Sequence, residues 1–248
     1  GVTQINILVG TIIASFEAGA ISYLYYADRI YQINLAIAGI AIGTVALPEL
    51  SKQIKKGNFD SVMNIQNKSL VLCLLLSLPA CFGLIIASEE ITSALFGYGS
   101  FTEQNVILTA KALKYFGFGV PAFALIKVLS NFLFARDNTK VPFYISAFIV
   151  FLNILISLIY FKEIGFVIIP IATSISTWFG VLIYLTLLVK FKYFNFDIIF
   201  LKNLTKVVIS LAIMILVLYL SINFFEDKLI YNNYYKSFYL IMIVTLGA

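Results

Sequence analysis

Histidine is absent from the sequence and cysteine occurs only twice. Without histidine there is no imidazole metal site and no histidine general base. Cys73 and Cys81 lie eight residues apart in one apolar run. On a helix that is about 12 Å along the axis, too far for a disulfide. Charge is also scarce. Only 12% of residues are Asp, Glu, Lys or Arg, against 61% that are hydrophobic. A soluble domain typically carries about 25% charged residues, so a soluble globular fold is excluded. A transmembrane barrel would need short strands alternating apolar and polar residues, and that alternation is missing too.

Long apolar blocks take their place. Eight are expected as helices, at about residues 2–17, 20–47, 64–87, 108–134, 141–161, 165–189, 204–223 and 236–248. Most approach or exceed the roughly 20 residues that a helix needs to cross a bilayer. The fold class is therefore an all-α polytopic membrane protein. The net charge of +5 does not indicate nucleic acid, because the basic residues sit in short connectors. Lys52, Lys55 and Lys56 follow the second block, Arg136 and Lys140 the fourth, and Lys190, Lys192 and Lys202 the sixth. The intervening loops are acidic or near neutral. By the excess of Lys and Arg in cytoplasmic loops, the even-numbered blocks end in the cytoplasm and the odd-numbered blocks end outside. "FGYGSFTEQN" reads as a turn leading into a helix, with Thr102 as N-cap. The chain begins at Gly1 without a methionine and ends at Ala248 within an apolar run. It is read as a piece of a longer protein.

The second block holds the main candidate site. Asp28 and Arg29 interrupt "YLYYADRIYQ", and no other charge occurs between Ile21 and Leu47. A charge at a membrane helix centre costs about 2.5–3.5 kcal/mol on insertion scales. Adjacent residues point about 100° apart on a helix, so the two are poor partners for each other. Helical spacing places Ser22, Tyr25, Gln32, Ala36 and Gly43 on the face of Arg29. That face is polar or small, so Arg29 is expected to point into a polar lumen or toward other helices. One reading is a contact for an anionic substrate, since guanidinium forks onto phosphate or carboxylate. The other is a structural ion pair. Asp28 is expected to pair helices, and Gly39 and Gly43 have the spacing for close helix packing. "ALPELS" is expected to end the helix, with Pro48 and Glu49 at the interface.

Three other features are weaker. Glu17 is expected as an interfacial carboxylate. Lys127 is expected to snorkel toward the cytoplasmic surface. Asn153 and Ser157 are positioned to face Thr173 and link two helices, with a sodium site as the alternative. No metal-ligand cluster, phosphate loop or nucleophile–base pair is seen, so no cofactor, metal or enzymatic role is expected.

These stretches also carry a resemblance. "YLYYADRIYQINLAIAGIAIGTVALPELS", "LFGYGSFTEQN" and "KVLSNFLFARDNTKVP" resemble the signature of the MurJ/MviN family of lipid II flippases, in the same order and spacing. The resemblance implies a second six-helix transporter lobe at 1–190 and an extra helix pair at 191–248 forming a lipid-tail groove. The N-terminal lobe would be absent from this chain. It implies flipping of lipid II, the undecaprenyl-pyrophosphate-linked peptidoglycan precursor, across the bacterial cytoplasmic membrane by alternating access. Arg29 would contact the pyrophosphate, with Gln32, Tyr25 and Ser22 beside it, and Asp28, Lys127, Asn153 and Glu17 would be structural or coupling residues. The implied partners are lipid II, membrane lipid and the other lobe, with a monomer as the working expectation. A related exporter of another polyprenyl-linked glycan or of drugs is the runner-up, and a non-transporting scaffold of the same fold the third reading.

Overall fold

The computed structural model describes residues 2–247; Ala248, the last residue of the eighth expected segment, lies outside them. Among the described residues the fold is entirely helical. The main helices are α1 (Val2–Ala14), α2 (Ala20–Leu35), α3 (Ile42–Lys55), α4 (Phe59–Ile86), α5 (Ser88–Phe96) and α6 (Glu103–Phe134). They are followed by α7 (Lys140–Ile164), α8 (Ile168–Lys190), α9 (Ile198–Phe224), the single turn α10 (Glu226–Leu229) and α11 (Lys236–Gly247). Among the described residues, five continuous helical stretches are long and apolar enough to cross a membrane. One of them, Lys140–Lys190, is a hairpin. Gly165, at φ 75°, turns the chain so that α7 and α8 pack side by side.

All eight expected segments are helices, but several start earlier than their apolar runs. The side chains of Asn58, Thr102 and Asp197 accept hydrogen bonds from the backbone N–H groups of Ser61 (3.2 Å), Asn105 (3.3 Å) and Phe200 (2.5 Å). These N-caps satisfy donors that the first turn cannot. They start α4, α6 and α9 at residues 59, 103 and 198 rather than at 64, 108 and 204. Apolarity marks the part that meets lipid, whereas the cap marks where hydrogen bonding begins. The expected stop at "ALPELS" is corrected: the helix runs through Pro48 to Lys55. Pro48 is exposed, so the carbonyl that its missing N–H leaves free is not trapped in the interior. Residues 88–96, which fall in one of the acidic loops between the expected segments, form α5.

α6 is the central post, packed by α2, α4 and α8. Lipid is as apolar as a leucine, so close contact rather than hydrophobicity drives helix association here. α6 accordingly buries small residues along its length, including Ala110, Ala112, Gly117, Gly119, Ala122 and Ala124. Between α2 and α3 lies one widened π-helical stretch, Ala36–Ala41. Its Gly39 meets α6 so closely that a Cβ would lie 3.0 Å from the Ala124 Cα. A Cβ on Gly43 would meet the Asn131 amide at 2.5 Å. The expected glycine seam is therefore a real close approach.

α9 lies along α4, and α11 rests on α9 and α5. Both ends of this unit are tied down. At one end, Arg136 donates to the carbonyls of Phe132 (2.6 Å) and Tyr193 (3.0 Å), and the Asn67 amide donates to the Asn195 carbonyl (3.0 Å). At the other, Lys236 is only 2% exposed. Its Nζ donates to the carbonyls of Gly97 (2.7 Å) and Tyr231 (2.8 Å). It also lies over the rings of Tyr98 and Tyr231, 4.4 and 4.6 Å from their centroids. Ser237 donates to the Ala94 carbonyl (2.9 Å) and Tyr231 to that of Phe101 (2.6 Å).

Candidate functional site

α2 is two-faced. Ala27, Ile30 and Tyr31 are buried against α6. Tyr31 stacks on Phe116 with ring centroids 5.4 Å apart and meets Phe123 edge-on at 5.2 Å. Tyr23 donates to Asn105 Oδ1 on α6 at 3.2 Å. The other face carries Ser22, Tyr25, Arg29 and Gln32, all exposed on this chain. The polar stripe read from helical spacing is thus turned away from the packed interior, while Gly43 at its far end is buried.

The charges within that stripe are arranged by Gln32. Its amide nitrogen donates to the Asp28 carboxylate, and its oxygen accepts from Arg29 Nη1 at 3.5 Å. The spacings i, i+4 and i, i+3 are those at which helical side chains meet. Asp28 and Arg29, which cannot face each other, are bridged by a third residue. Asp28 was expected to pair helices, but its hydrogen bond stays on its own helix. The guanidinium lies over the Tyr25 ring, 4.6 Å from the centroid, a cation–π contact that orients it. One long hydrogen bond leaves most of its N–H donors unclaimed within the chain. Among the described residues the ion pair recorded is Lys52–Glu49, on the surface of α3, so Arg29 is not neutralised by one. Chemically, the face offers an oriented, permanently charged fork suited to a phosphate or carboxylate.

The other candidates lie elsewhere. Glu17 accepts from the Phe166 N–H at 2.7 Å, so its carboxylate fastens the α1–α2 turn to the turn after α7. A Cβ on Gly165 would approach that carboxylate to 2.9 Å. Asn153 and Ser157 are buried in the α7–α8 seam. Asn153 donates to Thr173 Oγ1 (3.0 Å), Ser157 donates to Asn153 Oδ1 (3.2 Å), and Thr173 donates to the Ile169 carbonyl (2.7 Å). Lys127 is exposed on α6, on the turn whose carbonyl comes nearest to Gly43. The close approach of Gly39 to Ala124 puts Arg29 level with about residue 114 of α6, so Lys127 lies roughly 20 Å farther along the axis. The structure therefore groups Tyr25, Asp28, Arg29 and Gln32, with Ser22 two turns above Arg29. It separates Lys127, Asn153 and Glu17 from them. Among the described residues no group of three or more His, Cys, Asp or Glu could hold a metal ion. Sequence reasoning missed the π-helical stretch and the Lys236 cage, neither of which has a local signal.

The comparisons with known proteins agree on a family. The family model described as "Lipid II flippase MurJ" matches residues 1–240. A "Probable lipid II flippase MurJ" from Rhizobium meliloti (strain 1021) is 38% identical over 223 residues, which is 90% of this chain and 42% of that protein. Its counterpart from Rickettsia prowazekii (strain Madrid E) is 42% identical over 180 residues, 73% of this chain and 36% of that protein. Among solved structures, "Lipid II flippase MurJ, inward closed conformation" superposes with a TM-score of 0.81 at 30% identity, covering 99% of this chain and 49% of that one. The chain spans less than half the length of these relatives.

Proposed function

This chain belongs to the lipid II flippase MurJ family, and from that premise we propose that it is one lobe and an adjoining helix pair of a flippase. The whole protein moves lipid II across the bacterial cytoplasmic membrane by alternating access. Residues 1–190 form the lobe, and 191–248 the pair whose apolar outer face accepts the lipid tail. The other lobe closes the cavity, and the α2 face lines it. The protein is a transporter and performs no bond-making chemistry.

The observation that carries this reading is the Arg29 guanidinium, exposed and oriented by Tyr25 and Gln32. A membrane-spanning arginine is costly unless it is paired or faces water. A pyrophosphate would engage donors that the chain itself leaves free. Gln32 holds Asp28 aside, which keeps the nearest carboxylate from competing with that anion.

The test uses the full-length protein in a bacterium depleted of its own flippase, reading growth and lipid II exposed on the outer face. Wild type is expected to restore both, and Arg29→Ala, at equal abundance, neither. Arg29→Lys is expected to restore export partially, because lysine keeps the charge and loses the fork. Failure of wild type to export lipid II would remove the reading. Full function of Arg29→Ala would return Arg29 to a structural role.

A further inference from the structure

Seven residues before Arg29, Ser22 opens onto a cleft of about 560 Å³ between α2 and the connector from α5 to α6. From its lining and its place, we infer that this cleft is a subsite for the sugar rings of the lipid-linked substrate. The inference rests on the function proposed above and extends it from the phosphate to the glycan.

Among the described residues no Asp, Glu, Lys or Arg lines the cleft, so it is not built for a phosphate, a carboxylate or a cation. Its walls are aromatic. The Tyr26 ring packs against Phe96 and Phe101 with centroids 4.8 and 5.2 Å away, fixing three rings around one corner. Its polar groups are neutral hydroxyls and an amide. Ser22 and Ser100 are exposed, and their side chains are free of hydrogen bonds among the described residues. Asn105 uses its Oδ1 to hold Tyr23, which leaves the amide donors available. Rigid aromatic faces with a few placed hydroxyl and amide groups match a pyranose, which is apolar on its C–H face and polar at its edge. The volume lies within the roughly 300–1,000 Å³ typical of small-molecule clefts.

The cleft is placed to act together with Arg29. A separation of seven residues returns to nearly the same helix face, about 10 Å along the axis. An amino sugar hydrogen-bonded to Ser22 would thus lie about two turns of α2 from the guanidinium, with its glycosyl phosphate pointing along that face. The cleft wall is also held still. Lys236 fastens the Gly97 carbonyl, and Tyr231 that of Phe101.

The test measures binding to the purified full-length protein in lipid nanodiscs, using two probes: lipid II and undecaprenyl pyrophosphate without sugars. Wild type is expected to bind lipid II more tightly. Ser100→Trp, which fills the cleft from its exposed edge, should weaken lipid II binding by about tenfold or more and leave the sugar-free lipid within about twofold. Ser100→Ala, which removes a hydroxyl without adding bulk, should show the same selectivity with a smaller loss. A melting curve for each variant checks folding. Equal affinity of wild type for both probes, or variants that bind lipid II as wild type does, would overturn the subsite and leave the proposed function standing. Wild type that binds neither probe would bring down both.

Discussion

Two cations define the contrast within this molecule. Arg29 is exposed on α2, with a tyrosine ring and a glutamine from its own helix as neighbours. Lys236 is buried at the start of α11, its ammonium held by two carbonyls and two tyrosine rings. Neither has a carboxylate partner among the described residues. The difference lies in how far each spends its donors inside the chain. The lysine is nearly satisfied by groups 139 and 5 residues away, so it is a fastener. The arginine keeps donors for something outside the chain. Charge within an apolar segment does not by itself distinguish a site from a strut; the count of unclaimed donors does.

The sharpest way to break the comparison is to exchange the readouts. Arg29→Ala should abolish export by the full-length protein, a loss of 100-fold or more (about 2.7 kcal/mol). It should shift unfolding by no more than about 0.5 kcal/mol, as exposed substitutions do. Comparing lipid II export with the melting temperature in detergent tests both halves. Lys236→Met should do the opposite. It leaves two carbonyls without a donor, a cost of about 1–3 kcal/mol each, so the melting temperature should fall by several degrees. Whatever protein stays folded should bind sugar-free undecaprenyl pyrophosphate, which needs Arg29 and not the cleft, within about twofold of wild type. A stable Lys236→Met would erase the contrast.

Two smaller effects sharpen it. Gly39→Val should destabilise by about 1–3 kcal/mol through overpacking, because even one Cβ would sit 3.0 Å from Ala124. It should also reduce export by displacing α2 without touching a donor of Arg29; parallel melting and export assays would show both losses. Glu17→Ala extends the contrast to an anion. It leaves the Phe166 N–H without its acceptor, and about 1–2 kcal/mol of stability should be lost. Export per folded molecule should be unchanged, and a selective loss of export would move Glu17 from fastener to site.

Much of this was legible in the residues. The eight apolar runs, the Thr102 cap, the polar stripe of Arg29, and the Asn153, Ser157 and Thr173 group all follow from periodicities of 3.6 or from local capping rules. The illegible parts have non-local causes. Pro48 reads as a stop, yet the helix continues because that proline is exposed. α5 reads as a loop because its nine residues are too few for a clear period. "YNNYYK" reads as a polar connector because nothing nearby announces that its lysine will meet Gly97.

The sequence by itself determined a helical membrane protein with one charged pair in an otherwise uncharged span. It did so because bilayer thickness and helix geometry act on contiguous residues. Only the tertiary structure decided which charges are sealed in and which stay open. That depends on which carbonyls and rings arrive from distant segments, as Gly97 and Tyr98 reach Lys236 while, among the described residues, no such group reaches Arg29.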